Sequence, residues 1–142
     1  MKKEKYNLEE EMLKPYFELE NVKKGIFYLA NKLYGLNFKK LDNMPIYNEE
    51  VQVYEITESN ESHVGIYYVD LHPRAGKRGG AWSSGFRSHY LTKDGKEIPP
   101  VITNVCNFSR PAGDLPALLT FDEVETFFHE FGHGLHGLLT KC

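Results

Sequence analysis

The chain is 142 residues long, which suits one domain, and 41% of it is hydrophobic, enough apolar material for a core and too much for wholesale disorder. Seventeen basic residues against twenty acidic ones leave a net charge of −3, which argues against a dedicated nucleic-acid binder. No apolar run approaches the ~18 residues that span a membrane, and Glu4, Glu9, Glu10 and Glu11 stand where a signal peptide would carry its apolar region.

Residues 2–15 are charged and are expected to fray or to form a short helix. Leu19, Val22, Ile26, Leu29, Ala30 and Leu33 then recur at helical spacing, the mark of an amphipathic helix. Gly35 stands where a left-handed residue would end it. Residues 51–56 are rich in β-branched and aromatic side chains, and residues 57–62 are a polar turn or loop. Residues 64–71 are almost continuously apolar, which suits a strand buried on both faces and paired with the first as a hairpin. Residues 73–85 are punctuated by Pro and Gly and include Lys77-Arg78-Gly79-Gly80-Ala81-Trp82. Gly79-Gly80 reads as a plain turn in preference to the border of a channel. Asp94-Gly95 marks another turn, with hairpin character. Residues 101–108 read as a further strand. Cys106 lies within it, and with Cys142 it makes too small a set for a disulfide framework; both thiols are expected to be reduced in a cytoplasmic protein. Pro111, Gly113 and Pro116 break the chain after that strand. A helix over about Phe121–Leu139 closes the sequence, opened by a T-x-x-E capping box of Thr120 and Glu123. The expected class is α+β: an N-terminal amphipathic helix, a small and mostly antiparallel sheet, and a C-terminal metal-binding helix.

On a helical wheel at about 100° per residue, Val124, Phe127, Phe128, Phe131, Leu135, Leu138 and Leu139 gather in one arc. Asp122, Glu125, Thr126, His129, His133 and His136 fall on the other side. His129 and His133 are one turn apart, so two imidazole nitrogens can meet one ion at ~2.0–2.1 Å. Glu130 is too close in sequence to His129 to be a comfortable ligand of that ion. It can instead take the proton of a zinc-bound water as the water attacks a peptide carbonyl. His129-Glu130-Phe131-Gly132-His133 is thus the H-E-x-x-H pattern. The bland alternative is a solvated or structural His pair. The Glu at its fixed position, and uncharged Phe127, Phe128, Phe131 and Gly132 where a surface helix would scatter Lys or Arg, favour the metal.

Gly132, Gly134 and Gly137 each cost about 1 kcal/mol relative to Ala inside a helix. Close approach of another backbone or of substrate accounts for that cost; the alternative is a helix ending near Gly134. His136 lies ~10 Å along the axis from His129, too far to share an ion with both other imidazoles, and is expected to line a cleft or stand exposed. Catalytic zinc takes three protein ligands. His63, His72, His89 and the carboxylates have no spacing that recommends them as the third, which is expected beyond Cys142.

The run Phe127-Phe128-His129-Glu130-Phe131-Gly132-His133-Gly134-Leu135-His136-Gly137 resembles the active-site motif of the thimet oligopeptidase and peptidyl-dipeptidase family of zinc peptidases. Phe27-Tyr28-Leu29-Ala30-Asn31-Lys32-Leu33-Tyr34-Gly35-Leu36, Lys77-Arg78-Gly79-Gly80-Ala81-Trp82, Asn104-Val105-Cys106-Asn107-Phe108 and Leu115-Pro116-Ala117-Leu118-Leu119 resemble family segments in the same order. The branch it resembles is the bacterial peptidyl-dipeptidase (dipeptidyl carboxypeptidase) type rather than oligoendopeptidase F. The resemblance implies one Zn2+ held by His129 and His133, with Glu130 as base. The third ligand is then a glutamate on a later helix, and groups that steady the reacting carbonyl come later still. It implies that residues 1–142 are a partial catalytic domain, with the active-site helix at about 120–139, in a zincin-like fragment of a larger, mainly α-helical peptidase. The parent is expected to hydrolyse short peptides and release C-terminal dipeptides, with no nucleic-acid or membrane partner. The isolated chain is expected to be inactive for want of the third ligand. The alternative is a non-catalytic folding or interaction fragment with at most weak zinc binding, self-associating through exposed apolar surface. In many zinc peptidases an edge strand ahead of the metal helix pairs with extended substrate; residues 101–108 are the candidate, with an ordinary buried strand as the alternative.

Overall fold

A computed structural model describes residues 9–141; residues 2–8 of the charged N-terminal stretch and the Cys142 thiol lie outside the described residues. Glu10–Leu13 forms a short helix, α1, which tightens into a 3-10 turn over Lys14–Tyr16. Leu19–Tyr34 is helix α2. It ends as expected at Gly35, whose φ of 68° is left-handed and whose N–H donates to Asn31 O. The inward stripe of α2 is Leu19, Val22, Ile26 and Ala30. Leu29 and Leu33 were expected on that stripe but are 43% and 63% exposed. On the wheel Leu33 lies between Val22 and Ile26, and Leu29 about 20° outside Val22, so rotation does not explain their exposure; among the described residues no element covers the last turns of α2 there.

Seven strands follow: β1 (Asn37–Leu41), β2 (Gln52–Thr57), β3 (His63–Asp70), β4 (Trp82–Arg87), β5 (Tyr90–Leu91), β6 (Glu97–Ile98) and β7 (Val101–Val105). Five make one sheet in the order β1-β2-β3-β7-β4, and β5-β6 is a separate hairpin. The hairpin expected from residues 51–71 is the antiparallel pair β2-β3. The turn at Asp94-Gly95 closes β5-β6, with Gly95 at φ 78°. The sheet is mostly antiparallel, as expected, with one parallel pair, β3-β7.

Three expectations are corrected. β3 is not buried on both faces throughout: Gly65, Tyr67 and Val69 are buried while Val64, Ile66 and Tyr68 are half-exposed, because the helices cover one face only. β7 is shorter than 101–108 and is interior, between β3 and β4, so it is the buried strand and not the edge. The punctuated stretch 73–85 ends in a strand, β4, which forms the edge beyond β7.

Phe121–Leu139 is helix α3, with the capping box complete. The Glu123 N–H donates to Thr120 Oγ1 at 3.1 Å, and the Thr120 N–H donates to Glu123 Oε2 at 2.9 Å. Helices α2 and α3 share one core with the sheet: Ile26 and Ala30, Tyr54 and Ile56, Tyr67 and Val69, Ile102 and Cys106, Phe127, Phe131 and Leu138. No helix among the described residues is long and apolar enough to cross a membrane.

Candidate active site

The site begins with the residue that is not in it. Phe131, between the two histidines in sequence, points the other way and is 4% exposed. Its ring meets Tyr67 of β3 at 5.8 Å, Phe38 of β1 at 5.9 Å and Phe27 of α2 at 6.2 Å. Phe27 and Phe38 are themselves stacked at 4.2 Å. Aromatic contacts from three elements therefore set the rotation of α3 about its axis. With Phe131 held inward, His129 and His133 face out of the core, and both are exposed.

Glycine sets the depth. A Cβ at Gly134 would lie 3.1 Å from Asn104 Oδ1, and one at Gly137 would lie 2.8 Å from Ile102 Cδ1. Both glycines let α3 settle against β7, so the close approach expected of them is to sheet side chains, and the helix continues through both. Gly132 differs: a Cβ there meets nothing within 4 Å. The wheel also needs one correction. Phe128 and Leu139 were placed on the apolar arc but are 37% and 39% exposed, because the buried face of α3 narrows to Phe127, Phe131, Gly134 and Leu138.

The two imidazoles converge. His129 Nε2 and His133 Nε2 are 3.1 Å apart, with the rings nearly perpendicular. Nitrogens at that separation can both lie ~2.0–2.1 Å from one ion, so the donor pair fits zinc. Without an ion the same separation suits an N–H···N hydrogen bond that shares one proton. Among the described residues no group of three or more His, Cys, Asp or Glu side chains is arranged to hold a metal. The other histidines are engaged elsewhere or apart: His63 Nδ1 pairs with Glu55 Oε1 at 2.9 Å, and His72 Nδ1 donates to Phe108 O at 3.0 Å. His89 is buried beyond β4, and among the described residues neither of its ring nitrogens has a hydrogen-bond partner.

Glu130 lies next to the imidazole pair and is half-buried. With His133, His136 and Gly137 it lines a cavity of about 490 Å³, whose opposite wall is Ala81, Trp82, Ser83, Ser84 and Gly85 at the start of β4. His136 is exposed on this wall, as expected. The Glu130 charge also reaches inward. Burial first, and Glu130 second, push the Cys106 thiol up to about 12, which makes it an inert buried thiol. Burial likewise holds the Tyr67 hydroxyl well above its ordinary value.

The β4 wall was missed in the sequence. Trp82-Ser83-Ser84-Gly85 has neither β-branched enrichment nor apolar alternation, the signals that mark a strand. Its one visible clue was that Gly80-Ala81-Trp82 belongs to a segment resembling the peptidase family. Gly79-Gly80, read as a plain turn, is not among the residues that line the cavity, which begins at Ala81.

Residues 1–142 match Peptidase family M3. The chain is 43% identical over 142 residues to the dipeptidyl carboxypeptidase of Escherichia coli (strain K12), covering 99% of this chain and 20% of that protein. It is 39% identical over 136 residues to oligopeptidase A of the same organism, 96% of this chain and 20% of that protein. It is 41% identical over 146 residues to the organellar oligopeptidase A, chloroplastic/mitochondrial, of Arabidopsis thaliana, 99% of this chain and 18% of that protein. The chain thus spans about a fifth of the length of the curated relatives it matches. With the match running from its first residue to its last, through the helix that carries His129, Glu130 and His133, the chain belongs to peptidase family M3.

Proposed function

We propose that the protein carrying this segment is a zinc metallopeptidase that hydrolyses short peptides and releases dipeptides from their C-termini. The observation that carries the reading is the convergence of His129 Nε2 and His133 Nε2 at 3.1 Å beside a cavity into which Glu130 opens. The two imidazoles would hold one zinc ion, completed by a third protein ligand outside the described residues. When bound, the ion supplies Lewis acidity, which polarises a carbonyl and acidifies water.

The remaining chemistry falls to this chain. The Glu130 carboxylate takes a proton from the attacking water and returns it to the leaving amine, the ordinary work of a positioned general base and acid. Edge strand β4 faces the same cavity, and among the described residues no strand pairs with its outer edge, which can take an extended peptide. The substrate-pairing role first considered for residues 101–108 therefore passes to β4. The dipeptide product rests on likeness to the dipeptidyl carboxypeptidase, and a cytoplasmic location on the expected reduced thiols.

A Glu130→Gln variant of the whole protein tests the base. Turnover of short peptides should fall by about 10²–10⁴-fold while zinc content stays at the unmodified level. Turnover retained with zinc in place removes Glu130 from the mechanism. For the 142 residues alone a second reading is favoured, since only two ligands converge among the described residues. By itself the chain is non-catalytic, binds zinc weakly, and presents Leu33, Tyr34, Phe128 and Leu139 for self-association.

A further inference from the structure

Edge strand β4 has little in its own sequence to hold its register. Trp82-Ser83-Ser84-Gly85-Phe86-Arg87 runs from half-exposed to exposed, and its pairing with β7 slips between Gly85 and Arg87. A strand that buries no alternating apolar set specifies register poorly, and a slip of one residue turns every side chain to the other face. The register of β4 must therefore be imposed from its ends.

Residues 71–81 do this at the start. Both Asp70, the last residue of β3, and Trp82, the first of β4, pair with Val105, so the loop arches over the C-terminal end of β7. Two side chains grip it from inside. Lys77, whose side chain is 3% exposed, donates from Nζ to Asp70 Oδ1 at 2.9 Å, His72 O at 2.7 Å, Asp70 O at 3.3 Å and Cys106 O. Asn107, two residues past β7, spends both hydrogens of one amide on the loop: Nδ2 donates to Arg78 O at 3.0 Å and to Gly80 O at 2.7 Å. Gly80 takes φ 93°, a turn open to glycine, and β4 begins two residues later.

We infer that Lys77 and Asn107 are positioning residues: a carbonyl-gripping clamp that fixes where β4 starts against β7 and so sets the register in which an extended peptide lies along β4 past Glu130 and His133. This rests on the reading of β4 as the peptide-pairing edge of a peptidase. Neither residue touches substrate. Their effect is on which peptide bond is presented.

The test is Asn107→Asp in the whole, zinc-loaded protein. Aspartate keeps the shape but turns acceptors toward two carbonyl oxygens. With an eight-residue peptide and mass-spectrometric mapping of products, the variant should yield bonds displaced along the chain at a tenth or more of the main product. It should also lose about tenfold in kcat/KM, with zinc content unchanged. A variant that is merely less stable cuts the same bond more slowly, and that result overturns the clamp. If Asn107→Asp does not fold, Asn107→Ala removes both bonds without adding charge and takes the same measurement. A parallel readout does not need turnover. In a Glu130→Gln background the peptide should protect the backbone amides of residues 83–87 from hydrogen exchange, and Asn107→Asp should scatter or abolish that protection. Failure of the otherwise unmodified protein to cleave peptides counts against the peptidase reading alone, because the exchange experiment still decides the clamp.

Discussion

Asp70 shows how one residue can carry opposing terms. Its side chain is 2% exposed, and burial on its own raises a carboxyl pKa. Hydrogen bonds from Arg74, Lys77 and Tyr47 overcome that and hold Asp70 below the ordinary 3.8. The same contact, after burial, raises Tyr47 to about 12. A carboxyl held low in the fold adds stability that is complete above its unfolded value and is lost as pH falls through its folded value. Asp70→Asn leaves Lys77 and Arg74 without their anion, and breaking one side of a buried pair costs about 3–5 kcal/mol. That deficit against the unmodified protein should be full from pH 5 to 7 and should shrink below pH ~4, as Asp70 itself is protonated. Denaturation midpoints of both proteins from pH 2 to 7 measure it; parallel curves across the range would show that the carboxylate contributes nothing. The convergence of the two histidines was legible at this scale. An i, i+4 spacing puts His129 and His133 together on any α-helix, whatever surrounds it. The buried ion cluster was not legible, because Asp70, Arg74 and Lys77 look in sequence like an ordinary charged loop.

At the scale of the element, α3 is both the best-read part of the chain and the one most dependent on its neighbours. Its ends follow from local chemistry: Thr120 and Glu123 satisfy each other's backbone N–H groups, and the helix starts where that exchange dictates. Its rotation follows from Phe131 seated among Phe27, Phe38 and Tyr67. Truncating a buried phenylalanine costs about 3–5 kcal/mol. Phe131→Ala should lose that much stability and should also weaken zinc binding in the whole protein, since the helix is then free to turn the paired His129 and His133 together away from the third ligand. Phe128→Ala, at a 37% exposed position, should lose less than ~1 kcal/mol. Chemical denaturation and zinc titration of the two variants check this; equal losses would mean that the aromatic seat does not orient the helix. Strand β4 is the converse case. Its composition hides it, and it exists as a strand because β7 offers an open edge and the clamped loop delivers it there.

At the scale of the molecule, α2, α3 and the sheet make a continuous core, yet α2 and α3 carry Tyr28, Leu33, Tyr34 and Phe128 exposed. The relatives are about five times as long, and in a protein of that length such a surface has further chain to pack against. Zinc linkage reports on the same point. A ligand that binds only the folded state at 100 times its dissociation constant adds ~2.7 kcal/mol. In the whole protein, micromolar zinc should add at least that much and chelation should remove it. In the 142-residue chain the same zinc should shift the melting temperature little and produce no chelator-sensitive peptide hydrolysis. Clear hydrolysis by the short chain would show that two histidines and a solvent ligand suffice. Sequence alone determined what depends on neighbours a turn apart: the paired imidazoles, Glu130 beside them, the Thr120 cap and the Gly35 stop. These follow from helical periodicity and backbone hydrogen bonding within a few residues. The tertiary structure alone decided that β7 is interior, that β4 is the edge beside Glu130, and that Leu29 and Leu33 are left exposed. Those outcomes rest on partners far apart in the chain, such as Trp82 with Val105, whose pairing leaves no local periodicity to read.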